Sequence, residues 1–148
     1  MDAIDRKILN LIQTAFPVEA EPYRRIAGQT GIEPDEAFNR VRKLKENGMI
    51  RRIGAVFDPK KIGFVSTLCA ARVPVEKLKG FVAHVNSYPG VTHNYLRNHD
   101  YNVWFTLIAG GEDELNRLLD EIREKTGIAE LISLRAVRTF KINARFDL

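Results

Sequence analysis

A two-module α+β chain is predicted here by three observations. Residues 1–53 carry helical apolar spacing with proline starts and glycine stops. From residue 63 to 148 the pattern alternates between strand and helix periods in the order β-α-β-β-α-β. Residues 54–62 lie between them as a linker strand. The first module then reads as a helix-turn-helix of winged-helix type, and the second as a ferredoxin-like sheet.

In the first module, Ile4, Ile8, Leu11 and Ile12 mark one buried helical face, with Asp2 placed to cap it. "EPYRRIAGQTG" has Pro22 at a first turn and Gly31 past its end. "EPDEAFNRVRKLKENG" repeats this with Pro34 and Gly48, and Ala37, Phe38, Val41 and Leu44 form its core stripe. "MIRRIGAVFD" reads as a strand or wing leading out. In the second module "GFVSTLCAARV" suits a mostly buried strand. "PVEKLKGFVAHVNSYPG" places Val75, Leu78, Val82 and Val85 on one helical face, and Pro89-Gly90 stops it. "GGEDELNRLLDEIREKTG" is amphipathic through Leu115, Leu118, Leu119 and Ile122, and "AELISLRAVRTF" is a last strand. With both helices on one side of the sheet, the other face needs a cover, so an oligomer is expected.

The 148 residues, 45% hydrophobic, are enough for a real core. A single cysteine, Cys69, expected in the core, excludes a disulfide framework or a multi-cysteine metal site. No apolar run is long enough to span a membrane, and "MDAIDRKILN" is too charged for a secretory signal, so the expected location is the cytoplasm. A net charge of +4 fits either a nucleic acid or a polyanionic small molecule.

The chemistry concentrates in "GVTHNYLRNHDYNVWFTL", residues 90–107, which holds His93, His99, Tyr95, Tyr101, Arg97 and Trp104. A two-residue turn at Asn98-His99 pairs His93 with Trp104 and places His93, Tyr95, Arg97, Asn102 and Trp104 on one face. A three-residue loop instead groups His93, Tyr95 and Arg97 with Tyr101, Val103 and Phe105. Both registers keep the His93–Tyr95–Arg97 row on one side, because strands repeat every two residues. Imidazole moves protons near neutral pH, phenol donates a hydrogen bond, and guanidinium clamps a carboxylate. The row therefore suggests an enclosed pocket for an acidic substrate that exchanges a proton. His99 is open among a hydrogen-bonding role, a metal ligand and plain exposure; His84 is expected to be exposed.

A helix-turn-helix before a ferredoxin-like module resembles the Lrp/AsnC regulators over nearly the full length. The helix that would enter DNA begins with Glu33, Asp35 and Glu36, carboxylates that a phosphate backbone repels, so DNA binding is not the favoured expectation. At "IRRIGAVFDPKKIGF" and "PGVTHNYLRNHDYNVWFTL" the sequence is similar to the siroheme decarboxylases, through Arg51–Gly54 and His93–Phe105. That resemblance implies removal of carbon dioxide from two acetate side chains of siroheme, giving 12,18-didecarboxysiroheme, by two homologous subunits acting as a heterodimer. It implies no cofactor beyond the substrate's own iron. It makes His93 the expected proton donor, with Tyr95 orienting it or donating to the same site. Arg51, Arg52 and Arg97 would pair with carboxylates, His99 would contact substrate, and Trp104 would pack on the ring. Whether His93 or His99 ligates the iron, and which subunit supplies the acid, stay open.

Overall fold

Asp2 starts the first helix, α1 (Ala3–Ile12), through a reciprocal box: its carboxylate accepts from the Asp5 N–H at 2.8 Å, and Asp5 accepts from the Asp2 N–H at 3.0 Å. The next two helices, α2 (Pro22–Thr30) and α3 (Pro34–Glu46), open on prolines whose missing N–H costs nothing in a first turn. Gly31 ends α2 at φ 77°, a left-handed conformation that suits glycine. Ile8, Ile26, Ala37, Val41 and Leu44 bury together between these helices. Phe38, expected in that stripe, is instead 43% exposed, its ring edge-on to Tyr23 at 5.0 Å.

The computed structural model describes residues 1–141 and 145–148, which divide into two units: Met1–Val56 with Lys141–Leu148, and Phe57–Phe140. The C-terminal tail thus belongs with the helices rather than with the sheet. Asn10 on α1 and Gln13 at its C-cap hold it as an amide ladder would: Asn10 Nδ2 donates to the Leu148 carbonyl at 2.9 Å. Gln13 donates to the Phe146 carbonyl at 2.8 Å and accepts from the Phe146 N–H at 2.9 Å.

Arg40 ties α3 to the start of α1. Its guanidinium donates to Asp2 at 2.7 Å, Asp5 at 2.9 Å and Glu36 at 2.8 Å, with the side chain only 23% exposed. The Asp5 backbone N–H and the Arg40 guanidinium hold the Asp2 carboxyl below its ordinary 3.8. A depressed carboxyl pKa stabilises the fold above the unfolded value and ceases to as pH falls through the folded one. Arg40→Ala is therefore expected to lower stability by about 1 kcal/mol at neutral pH. That difference from wild type should shrink as pH falls through the lowered Asp2 value; urea melts at two pH values measure both.

The expected strand across 54–62, and the wing from "MIRRIGAVFD", do not form. Residues 51–58 are irregular and are followed by a 3-10 turn at Pro59–Ile62. Pro59 removes a donor and fixes a helical φ, while the Asp58 carboxylate takes the Lys60 N–H at 3.1 Å, so local bonding wins over a ladder.

In the second unit, β1 (Val65–Ala71), β2 (Val91–Leu96), β3 (Val103–Ala109) and β4 (Leu131–Leu134) form a sheet of order β2-β3-β1-β4. The recorded pairs are all antiparallel. Helices α4 (Leu78–Asn86) and α5 (Glu112–Thr126) cover one face. Phe81, Val85, Leu115, Leu119 and Ile122 bury there against Cys69, Phe105 and Leu107. Burying a side chain such as Phe105 contributes roughly 2–3 kcal/mol.

The expected α4 stripe is offset. Pro74 opens a separate 3-10 turn, so Val75 is 83% exposed, and Phe81 fills the core instead. The last strand is shorter than "AELISLRAVRTF" suggested, spanning only Leu131–Leu134. No helix among the described residues is long and apolar enough to cross a membrane.

Candidate functional site

Neither expected hairpin register is the observed one. Tyr95 faces Trp104, Leu96 faces Val103, and the Arg97 N–H donates to the Asn102 carbonyl at 2.7 Å. The loop is therefore the four residues 98–101. His93 pairs with Thr106, not with Trp104. A shift of two residues from the two-residue turn preserves facing, so Trp104 stays beside the His93–Tyr95–Arg97 row while Val103 and Phe105 point into the core.

Local bonds explain the longer loop. The His99 Nδ1 accepts the Tyr101 N–H at 3.0 Å, and Trp104 Nε1 donates to the Tyr101 carbonyl at 2.7 Å. Asn102 leaves the row to clamp Val73, taking its N–H at 2.9 Å and donating to its carbonyl at 2.8 Å. These bonds satisfy groups that a tight turn would pair internally.

The row is a stack rather than a set of separate groups. The His93 and Tyr95 rings lie 6.1 Å apart at 26°, and the Arg97 guanidinium carbon sits 5.8 Å from the Tyr95 centroid and 5.9 Å from Trp104. Two aromatic rings flank that cation, and the N–H edge of a guanidinium suits a planar acceptor. Leu68, His93, Tyr95, Arg97, Trp104, Phe105 and Thr106 line a cleft of about 360 Å³.

The enclosed pocket expected from the sequence is absent from the single chain. Tyr95 is 53% exposed, and His93 and Arg97 are exposed too. The reason is architectural: the row lies on the sheet face away from α4 and α5, a face that also carries half-exposed Leu68 and, farther across on β4, Ile132 and Leu134.

The face of the row depends on a bulge. Val91 pairs with core Leu107, whereas His93 pairs with Thr106 on the open side. Residues two apart share a face in a regular strand; an irregularity between Val91 and His93 inserts Thr92 as an extra residue and separates them. The clue in the sequence was a parity conflict: core-type Val91 occupies the same phase as His93, Tyr95 and Arg97. Thr92 and the lining residues Leu68 and Thr106 were not singled out from sequence.

The remaining candidates are placed elsewhere. Arg51 and Arg52 line a separate cavity of about 600 Å³ in the helical unit, with Leu9, Phe16 and Phe146 among its walls. His99 is exposed in the loop and does not line the cleft. His84, expected to be exposed, is half-buried, with Nε2 3.1 Å from the Tyr88 hydroxyl, which donates to Glu121 at 3.1 Å. Burial pushes the core Cys69 thiol up to about 12, which leaves it unreactive. Among the described residues no group of three or more His, Cys, Asp and Glu side chains could hold a metal.

Comparison with known proteins matches residues 5–51 to the siroheme decarboxylase NirDL-like HTH domain and residues 61–141 to the AsnC-like ligand binding domain. A siroheme decarboxylase alpha subunit from Desulfovibrio desulfuricans is 50% identical over 146 residues, covering 99% of this chain and 84% of that protein. One from Nitratidesulfovibrio vulgaris is 51% identical over 146 residues, covering 99% and 82%. The crystal structure of the siroheme decarboxylase NirDL superposes with a TM-score of 0.75 at 36% identity, covering 98% of this chain but only 47% of its own. Escherichia coli AsnC, at 21% identity, TM-score 0.80 and 97% coverage of each chain, shares the fold. By these matches the chain belongs to the siroheme decarboxylase family, on an AsnC-like scaffold of helix-turn-helix and ferredoxin-like sheet.

Proposed function

We propose that this chain is one subunit of a siroheme decarboxylase that removes carbon dioxide from the two acetate side chains of siroheme, leaving methyl groups and 12,18-didecarboxysiroheme. The observation that carries the reading is the His93–Tyr95–Arg97 stack, set over a cleft in a chain 50% identical to a siroheme decarboxylase subunit. The related NirDL has also been crystallised with an iron-uroporphyrin III analogue, a ligand of the same polycarboxylated class.

Each residue has a part that follows from its chemistry. Arg97, held flat by Tyr95 and Trp104, clamps a substrate carboxylate through paired N–H bonds. Cleavage of the bond between the acetate methylene and its carboxylate releases carbon dioxide. It leaves the electron pair on a carbon beside the pyrrole ring, where the macrocycle spreads it. The His93 imidazolium returns one proton to that carbon, completing the methyl group. Tyr95 stacks on His93 and limits its ring orientation. The iron comes with the substrate, so the step asks nothing further of the protein. Arg51 and Arg52 line the helical unit's own cavity and are not assigned a part in this step.

A cleft of about 360 Å³ holds part of a macrocycle, and the sheet face around it is open. A homologous second subunit covering Leu68, Ile132 and Leu134 would close it, giving a heterodimer with a shared cavity. Enclosure would also favour loss of a charged carboxylate as neutral carbon dioxide.

The regulator reading fares worse for a stated reason. Of the cations on α3, Arg40 is consumed by Asp2, Asp5 and Glu36, and the helix still begins with acids. An anaerobic incubation with siroheme, run with and without the second subunit, tests the choice. The expected product has two carboxyl groups replaced by hydrogen. A bound ligand of unchanged mass, with promoter DNA retarded in a gel, would replace the enzyme with a tetrapyrrole-sensing regulator.

A further inference from the structure

Consecutive residues of a strand point to opposite faces, so a hydrogen bond between their side chains is unusual. Thr92 and His93 make one: Thr92 Oγ1 lies 3.0 Å from His93 Nδ1. The bulge accounts for it, because two residues there oppose one on β3 and their side chains swing together.

We propose that Thr92 is a positioning residue for the decarboxylation, fixing the His93 ring so that Nε2 is the nitrogen presented to substrate. This deepens the reading of His93 as the acid and rests on it. A hydroxyl is both donor and acceptor, so it follows the ring through turnover. Toward the imidazolium it accepts the hydrogen bond from Nδ1–H, which leaves the Nε2 proton for the substrate carbon. After that transfer the neutral ring keeps its Nδ1 proton on the same oxygen, and Nε2 takes the next proton from solvent. Tyr95, its ring stacked at 6.1 Å, restrains the ring plane but cannot choose between the nitrogens. Among the described residues, the Thr92 hydroxyl is the hydrogen-bond partner that makes that choice.

The test compares Thr92→Val, which keeps shape and β-branching, with Thr92→Ser, which keeps the hydroxyl. Both are assayed in the assembled enzyme, with the histidines of this subunit labelled with nitrogen-15. Thr92→Val is expected to lower kcat roughly tenfold, the effect of one oriented hydrogen bond, with KM within about twofold. The nitrogen-15 signature of a hydrogen-bonded His93 Nδ1 should also be lost. Thr92→Ser should restore both. Wild-type kcat and Nδ1 signature in Thr92→Val, or a serine variant as impaired as the valine one, overturns the proposal. His93→Ala separates the two readings: if it is inactive while Thr92→Val is normal, the positioning role alone fails. If His93→Ala turns over normally, the acid itself is misassigned.

Discussion

His93→Ala is expected to lower siroheme turnover by roughly 100- to 10,000-fold, the range that a positioned general acid contributes. Binding of the macrocycle should fall less than about tenfold, because Arg97 and Trp104 still grip it. The variant isolates chemistry from folding. His93 is exposed on the open sheet face and its recorded side-chain bond is to Thr92, so truncation opens no core cavity. Loss of the bond to carbon dioxide leaves a carbanion-like centre that bulk water can also protonate, but only where water reaches it. The size of the deficit therefore also reports how well the assembled site excludes solvent. Single-turnover mass analysis beside equilibrium titration of the tetrapyrrole gives both quantities. A variant whose kcat stays within about threefold of wild type would remove His93 from the mechanism.

Most of the scaffold was legible because its signals are local. Asp2, Pro22, Pro34, Gly31 and Gly127 bound their helices by chemistry that acts within one turn. Apolar spacing found Leu115, Leu119 and Ile122 for the same reason. Failures came where two local preferences competed. Pro74 cut a 3-10 turn away from α4 and removed Val75 from its face. Asp58-Pro59 turned an apolar strand pattern into a cap.

Within the site, the grouping of His93, Tyr95 and Arg97 needed only strand parity, and the structure keeps it. Loop length did not follow from parity, because His99, Trp104 and Asn102 spend their bonds inside and beside the hairpin. Enclosure was illegible for a different reason: among the described residues nothing covers the row's face of the sheet. Leu68 beside the row, and Ile132 and Leu134 farther across the same face on β4, are apolar yet lie half-exposed. That combination is what the proposed second subunit would cover.

Gly90→Ala is the substitution expected to do most damage to the fold, and it reaches the site through the same bulge. A Cβ at Gly90 would collide with the Ile108 carbonyl oxygen. The obstacle is backbone of the central part of the sheet, so no side-chain rotation relieves it. The Ile108 N–H also donates to the Gly90 carbonyl at 2.9 Å, and that bond must break if the strands part. Together the clash and the lost bond should cost about 2–4 kcal/mol. The strand that moves is the one that begins at Val91, directly ahead of the irregularity that turns His93 outward. If β2 re-pairs by one residue to escape the clash, His93, Tyr95 and Arg97 rotate toward the core and Asn94 and Leu96 take the cleft. Urea melts should show the stability loss, and the assembled variant should lose turnover beyond what its unfolded fraction explains. A Gly90→Ala protein with wild-type stability and activity would mean that β2 does not approach Ile108 this closely, and that the bulge is not what aims the row.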